Sequence, residues 1–174
     1  MRIDIYQLSI ETLSLKKEII MFQGLLHTHS LLRWVLLITL VLAIISAFRG
    51  MFGKKGYTAT DNKLRMYTVI LTHVQLVLGL AIYFMSPMIK GALSDMKGAM
   101  ANKALRFFTV EHTLMMVIAV VLITMGSAMA KKQTEDVLKH KKIAIWFTIA
   151  LIIIFAAIPW PFRADIARAL FPGA

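Results

Sequence analysis

The chain contains no cysteine, which excludes structural disulfides, thiolate zinc sites, Cys-ligated iron–sulfur clusters and the thioether attachment of c-type haem. Acidic residues are scarce too: nine Asp and Glu stand against 20 Lys and Arg in 174 residues, a formal net charge of +11. Charged residues of either sign make up only 17% while 59% are hydrophobic, and the mean hydropathy is +0.73. A water-soluble globule is thereby excluded. The excess of bases does not mark a nucleic-acid surface, because Lys and Arg lie between long apolar runs and not along one stripe. Without cysteine, metal or haem chemistry has to rest on His, Met or carboxylate, and with no Rossmann, P-loop or flavin motif the chain is not expected to supply a redox enzyme itself.

What is present is hydrocarbon-length helix. Four stretches are long and apolar enough to cross about 30 Å of hydrocarbon: 25–48, 64–85, 104–130 and 143–158. Asp61 and Asn62 can cap the second, Pro87 stops it, Asn102 can cap the third, and Pro159 with Pro161 closes the fourth. Short connections make sequential helices antiparallel neighbours, so the expected fold is an all-α integral membrane four-helix bundle, one domain over 21–163. Residues 1–20 read as an N-terminal extension, either an interfacial helix carrying Asp4, Glu11, Lys16, Lys17 and Glu18 or a stretch ahead of a true start at Met21. They lack the apolar core and small-residue cleavage site of a signal peptide. Residues 164–174 form a C-terminal tail.

The connection after the first span holds Arg49, Lys54, Lys55, Lys63 and Arg65 against Asp61, and that after the third holds Lys131, Lys132, Lys139, Lys141 and Lys142 against Glu135 and Asp136. The positive-inside rule places both in the cytoplasm and both termini outside, with Trp160 and Phe162 as an interfacial belt.

An ionisable side chain within a span is expensive unless paired, so each one is a candidate site. His29 and Arg33 lie in the first span, His73 and Gln75 in the second, and Glu111 and His112 in the third. At 1.5 Å per residue, His29 falls about 10 Å and His112 about 8 Å to the outer side of the midplane, and His73 about 4 Å to the inner side. His29 with His112 is therefore the first pair matched in height, and His73 with His112 the second. Two imidazoles at one level on different helices are the arrangement that holds a b-type haem (heme b), with Phe107, Phe108, Met115 and Met116 around His112 as adaptable packing and Arg33 or Arg106 for the propionates. His29, His112 and His73 are also the candidate metal ligands, with Glu111 as an added donor. Against that, Glu111 and His112 are adjacent and point about 100° apart on a helix.

Arg33 follows His29 by four residues and shares its face, too deep to reach water with ease. Glu111 is the carboxylate at comparable depth on the antiparallel third span, so a buried Arg33–Glu111 pair is expected. Gln75 lies about 200° around the helix from His73, so one of the two serves helix association. Tyr67, Thr72 and Tyr83 read as interfacial or backbone-bonding residues. His140, inside Lys139-His140-Lys141-Lys142, reads as part of a solvated charge run touching anionic lipid.

The string His27-Thr28-His29-Ser30-Leu31-Leu32-Arg33-Trp34, with Thr72-His73-Val74-Gln75, Glu111-His112 and Ile158-Pro159-Trp160-Pro161-Phe162-Arg163, resembles a family of small four-span membrane proteins of the Bacteroidetes that carry the label cytochrome b-like or no functional label. The likeness covers about residues 21–163 and implies the bacterial inner membrane. Two function classes follow. One is a haem-b electron-transfer protein, acting as a small subunit or anchor within a larger redox complex and not itself an enzyme. The other is a non-redox subunit, or a proton or metal carrier, whose His and Glu form a relay or a structural polar network. A Soret band in detergent separates them.

Overall fold

The computed structural model describes residues 5–171, and Asp4 lies outside the described residues. Among these, every regular element is helical: α1 (Ile5–Phe52), α2 (Ala59–Met85), α3 (Pro87–Ser94), α4 (Met96–Ala101), α5 (Lys103–Arg106), a π-helical turn (Phe107–Glu111), α6 (His112–Lys131) and α7 (Asp136–Ala157). Four continuous helices have the length and apolarity of membrane spans, the third running from Lys103 to Lys131 through the π turn. The protein is a multi-pass membrane protein built as an all-α four-helix bundle. In cross-section α1 lies between α2 and α7, and α6 between α7 and α2, so α1 and α6 face each other diagonally.

The N-terminal extension is not a separate interfacial element. From Ile5 it runs unbroken into the first span, giving one helix of 48 residues or about 72 Å at 1.5 Å per residue. Residues 9–21 are all exposed, and no proline separates them from the span, the helix running on through Gly24. The second helix begins earlier than its apolar run. Its N-cap is Thr58, whose hydroxyl accepts from the Asp61 amide while the Asp61 carboxylate takes the Thr58 amide at 2.8 Å, so Asp61 completes a capping box and is not itself the cap. Asn102 does cap its helix, its side-chain oxygen accepting from the Leu105 amide. Ser86 and Asp95 start α3 and α4 in the same way.

Apolar burial gives no preference for helix over lipid tail in a bilayer, so close approach of backbones carries the packing. The core accordingly mixes small residues, Ala43 and Ala47 of α1, Ala119 and Ala130 of α6, Ala144 and Ala150 of α7, with Leu40, Ile123 and Phe147. Gly126 meets Trp146 so closely that a Cβ would have no room. Two ends result. The hairpin end gathers the connections 53–58 and 132–135, and the tail end gathers α3 to α5 and residues 158–171.

Candidate functional site

The last residues of an α-helix leave carbonyls without intrahelical partners, and a buried carbonyl in that state must find a donor. Ala157, the last residue of α7, finds His112, whose Nδ1 lies 2.8 Å from its oxygen. A carbonyl only accepts, so Nδ1 carries the proton and Nε2 keeps its lone pair. Phe107 flanks the ring at 5.8 Å. Across the diagonal, the His29 ring lies against Gly79 of α2, where a Cβ would come within 3.3 Å of its Cε1. The Nδ1 of His29 is buried without a hydrogen-bond partner. Gln75 donates to the His29 backbone carbonyl at 2.9 Å and so serves α1–α2 association.

Arg33 completes the group. His29, His112 and Arg33 lie within electrostatic reach of one another. The chain folds back after Pro161, so that the Leu170 carbonyl accepts from Arg33 at 2.8 Å and from the Trp34 indole at 3.1 Å, and Phe171 stacks on Trp34. The Nε of Arg33 is buried and unpartnered. A neutral carbonyl does not balance a guanidinium, so Arg33 has no anionic partner among the described residues.

The expected Arg33–Glu111 pair does not form. Glu111 is taken by Arg106, Nε to Oε1 2.7 Å, with both side chains 40% exposed. In a regular α-helix those two residues would lie about 140° apart; the wider π turn between them brings them within reach. Glu111 is therefore not a buried carboxylate. Arg106 also donates to the Met100 carbonyl at 3.1 Å, which commits it to the 290 Å³ cleft it lines with Lys103, Glu111 and Arg163 and withdraws it from the set of propionate partners.

His73 stands apart. Its ring is exposed toward lipid, bonded through Nδ1 to the Val69 carbonyl at 2.8 Å with Thr124 at 3.5 Å from Nε2, the hydrogen-bonded role of a lone intramembrane imidazole. It lies six residues along α2 from Gly79, about 9 Å toward the hairpin end, and does not join His112. No three His, Asp or Glu gather in a metal-ligand cluster among the described residues, so a triad of His29 and His112 with His73 or Glu111 is not assembled. Tyr83 donates to the Thr109 carbonyl and Thr72 to that of Thr68, while Tyr67 and His27 are exposed.

His140 is the largest departure from expectation. It is not solvated: only 1% of it is exposed, its ring packed over Gly50 and 5.1 Å from Tyr57, and neither nitrogen has a hydrogen-bond partner. The spacing His140, Ile143, Ala144, Phe147 puts it on the buried stripe of α7, a signal that the neighbouring lysines overshadow. Gly79 and the carbonyls of Ala157 and Leu170 were the other residues missed; a glycine within an apolar span is a readable mark, whereas the two carbonyls leave none.

No family model, curated protein or solved structure matches this chain.

Proposed function

We propose that the chain is a cytochrome b-like protein of the bacterial inner membrane, termini periplasmic, in which His29 and His112 hold a b-type haem and which passes electrons as a small subunit or anchor of a larger redox complex. The observation that carries this reading is a coincidence of unmet valences at the tail end: a deprotonated Nε2 on His112, an orphaned Nδ1 on His29 and an orphaned Nε on Arg33. Two imidazoles are too few for a bare zinc or iron ion, which needs three or four protein donors. They match an iron whose four equatorial ligands come from a porphyrin.

His112 is oriented by the Ala157 carbonyl, a hydrogen bond of the kind that fixes the tautomer of ligating histidines and raises their basicity. Gly79 lets the His29 ring pack directly on the α2 backbone. Arg33 supplies the counter-charge for an acid edge, and the tail from Arg163 to Phe171 covers that edge against water. Bound haem would supply a one-electron couple.

The test is spectroscopic. Full-length protein purified in detergent from haem-sufficient cells should show a Soret band and a bis-imidazole spectrum, lost in His29→Ala and in His112→Ala and kept in His73→Ala and His140→Ala. Protein that arrives without haem and takes none up on titration overturns the reading.

A further inference from the structure

The hairpin end carries ten Lys and Arg over 49–65 and 131–142 against Asp61, Glu135 and Asp136, and it encloses a cleft of about 570 Å³ between the first connection, the start of α2, the end of α6 and the start of α7. Its walls are unusual in their charge. Arg65 is only 8% exposed, and its guanidinium donates to the Ser127 hydroxyl at 2.5 Å and to the Asn62 side-chain oxygen at 2.7 Å. Both partners are neutral. Lys131 is exposed at the rim and Lys139 lies over the Tyr57 ring, its Nζ on Asp136 at 2.8 Å. The Tyr57 hydroxyl is buried beside the Arg65 guanidinium, and no carboxylate or carbonyl accepts from it.

The acids nearby are already engaged. Asp61 accepts from Ser46 and from both the amide and the hydroxyl of Thr58, and Asp136 takes Lys139. Among the described residues, no carboxylate comes within ion-pair distance of Arg65 or Lys131. A buried guanidinium held by neutral oxygens, beside a free ammonium and a buried phenol, is a donor set without its anion. Arg65 is deep and planar, suited to two oxygens of one tetrahedral group, while Lys131 sits where a charge enters from the interface.

We propose that this cleft binds the phosphate of an anionic phospholipid, drawn from the leaflet that borders the hairpin end. The cleft opens between span ends, at the level where headgroups lie, and it lies amid the densest positive charge of the chain. Basic pockets between membrane helices at such a level recognise phosphate headgroups.

The experiment is native mass spectrometry of the full chain released from nanodiscs of equal phosphatidylglycerol and phosphatidylcholine. Wild type should retain phosphatidylglycerol in preference. Lys131→Gln should reduce that preference about fivefold, the effect of one interfacial base. Lys132→Gln, which removes the same charge one residue outside the lining, should leave it unchanged. Arg65→Gln should abolish it; because Arg65 also ties α2 to α6 through Ser127 and its loss can unfold the bundle, the exposed Lys131 decides. Equal retention of both lipids, or equal effects of the two lysine variants, overturns the proposal. Inorganic phosphate is added to the chain in pure phosphatidylcholine discs as a separate arm. If it raises the melting temperature through Lys131 while phosphatidylglycerol shows no preference, the ligand is a soluble phosphate, which also overturns the lipid assignment. Neither arm depends on haem.

Discussion

Each end of this bundle sets an imidazole against a glycine, and the two arrangements differ in what they leave unsatisfied. At the tail end His29 rests on Gly79 less tightly, where a Cβ would come to 3.3 Å of the ring, and its neighbours His112 and Arg33 are wired to two backbone carbonyls, Ala157 at the end of α7 and Leu170 of the tail. At the hairpin end His140 overlies Gly50 so tightly that no Cβ fits, and the ring has no hydrogen bond at all. The first arrangement fixes the orientation of an imidazole, His112, through a carbonyl. The second fills space, since His140, with both nitrogens idle in a dry core, acts as packing.

The steepest way to break this contrast is through the glycines. Gly50→Val should cost on the order of 3 kcal/mol, because ring and backbone both have to move. Gly79→Ala should cost about 1 kcal/mol by the same mechanism at looser contact. Gly24→Ala, with open space around it, should stabilise by about 0.5–1 kcal/mol through helix propensity alone. Thermal melting in detergent reads all three, and a Gly50→Val variant no worse than Gly79→Ala would show that the hairpin end is not the tighter one.

The next effect compares the rings. His112→Leu strands the Ala157 carbonyl and should cost about 1–3 kcal/mol, whereas His140→Leu removes two unmet polar atoms and should be nearly neutral. Equal losses would mean that His140 has a partner in solution.

A smaller effect is carried by alkaline pH. Burial raises the Tyr57 phenol above its ordinary value of 10.0, with Arg65 opposing. The unfolded chain therefore ionises first, so this residue's contribution is present below pH about 10 and lost above it. The fall in melting temperature above that pH should be shallower in Tyr57→Phe than in wild type; parallel curves would place the phenol in water.

The smallest effect concerns the charges at the tail end. A double-mutant cycle on Arg106 and Glu111 should give a coupling of about 0.5–1 kcal/mol, as for an exposed pair, and one on Arg33 and Glu111 should give none. A coupling in the second cycle would restore the cross-helix pair.

These contrasts also show where sequence reasoning reaches. Span number, antiparallel order and the Asn102 cap follow from hydropathy and local chemistry, which act within a few residues. So does the grouping of His29 with Arg33 on one face. Matching Arg33 to Glu111 by depth failed because depth along the axis says nothing of azimuth, and the π turn changes the azimuth. His140 is buried and not solvated because its 3–4 spacing with Ile143, Ala144 and Phe147 outweighs the charge of its lysine neighbours. The tail's return to Arg33 rests on a backbone carbonyl, which any residue type supplies.

The π turn at Phe107–Glu111 has one more consequence. It places two rotational phases within a single span: α5, Arg106 and the cleft follow one, while His112 and everything after it follow another. Winding these five residues into α geometry with none removed would rotate His112 by about 90° relative to the segment before it. Such a change would leave hydropathy and every ionisable group in place, and still separate the imidazole from the Ala157 carbonyl.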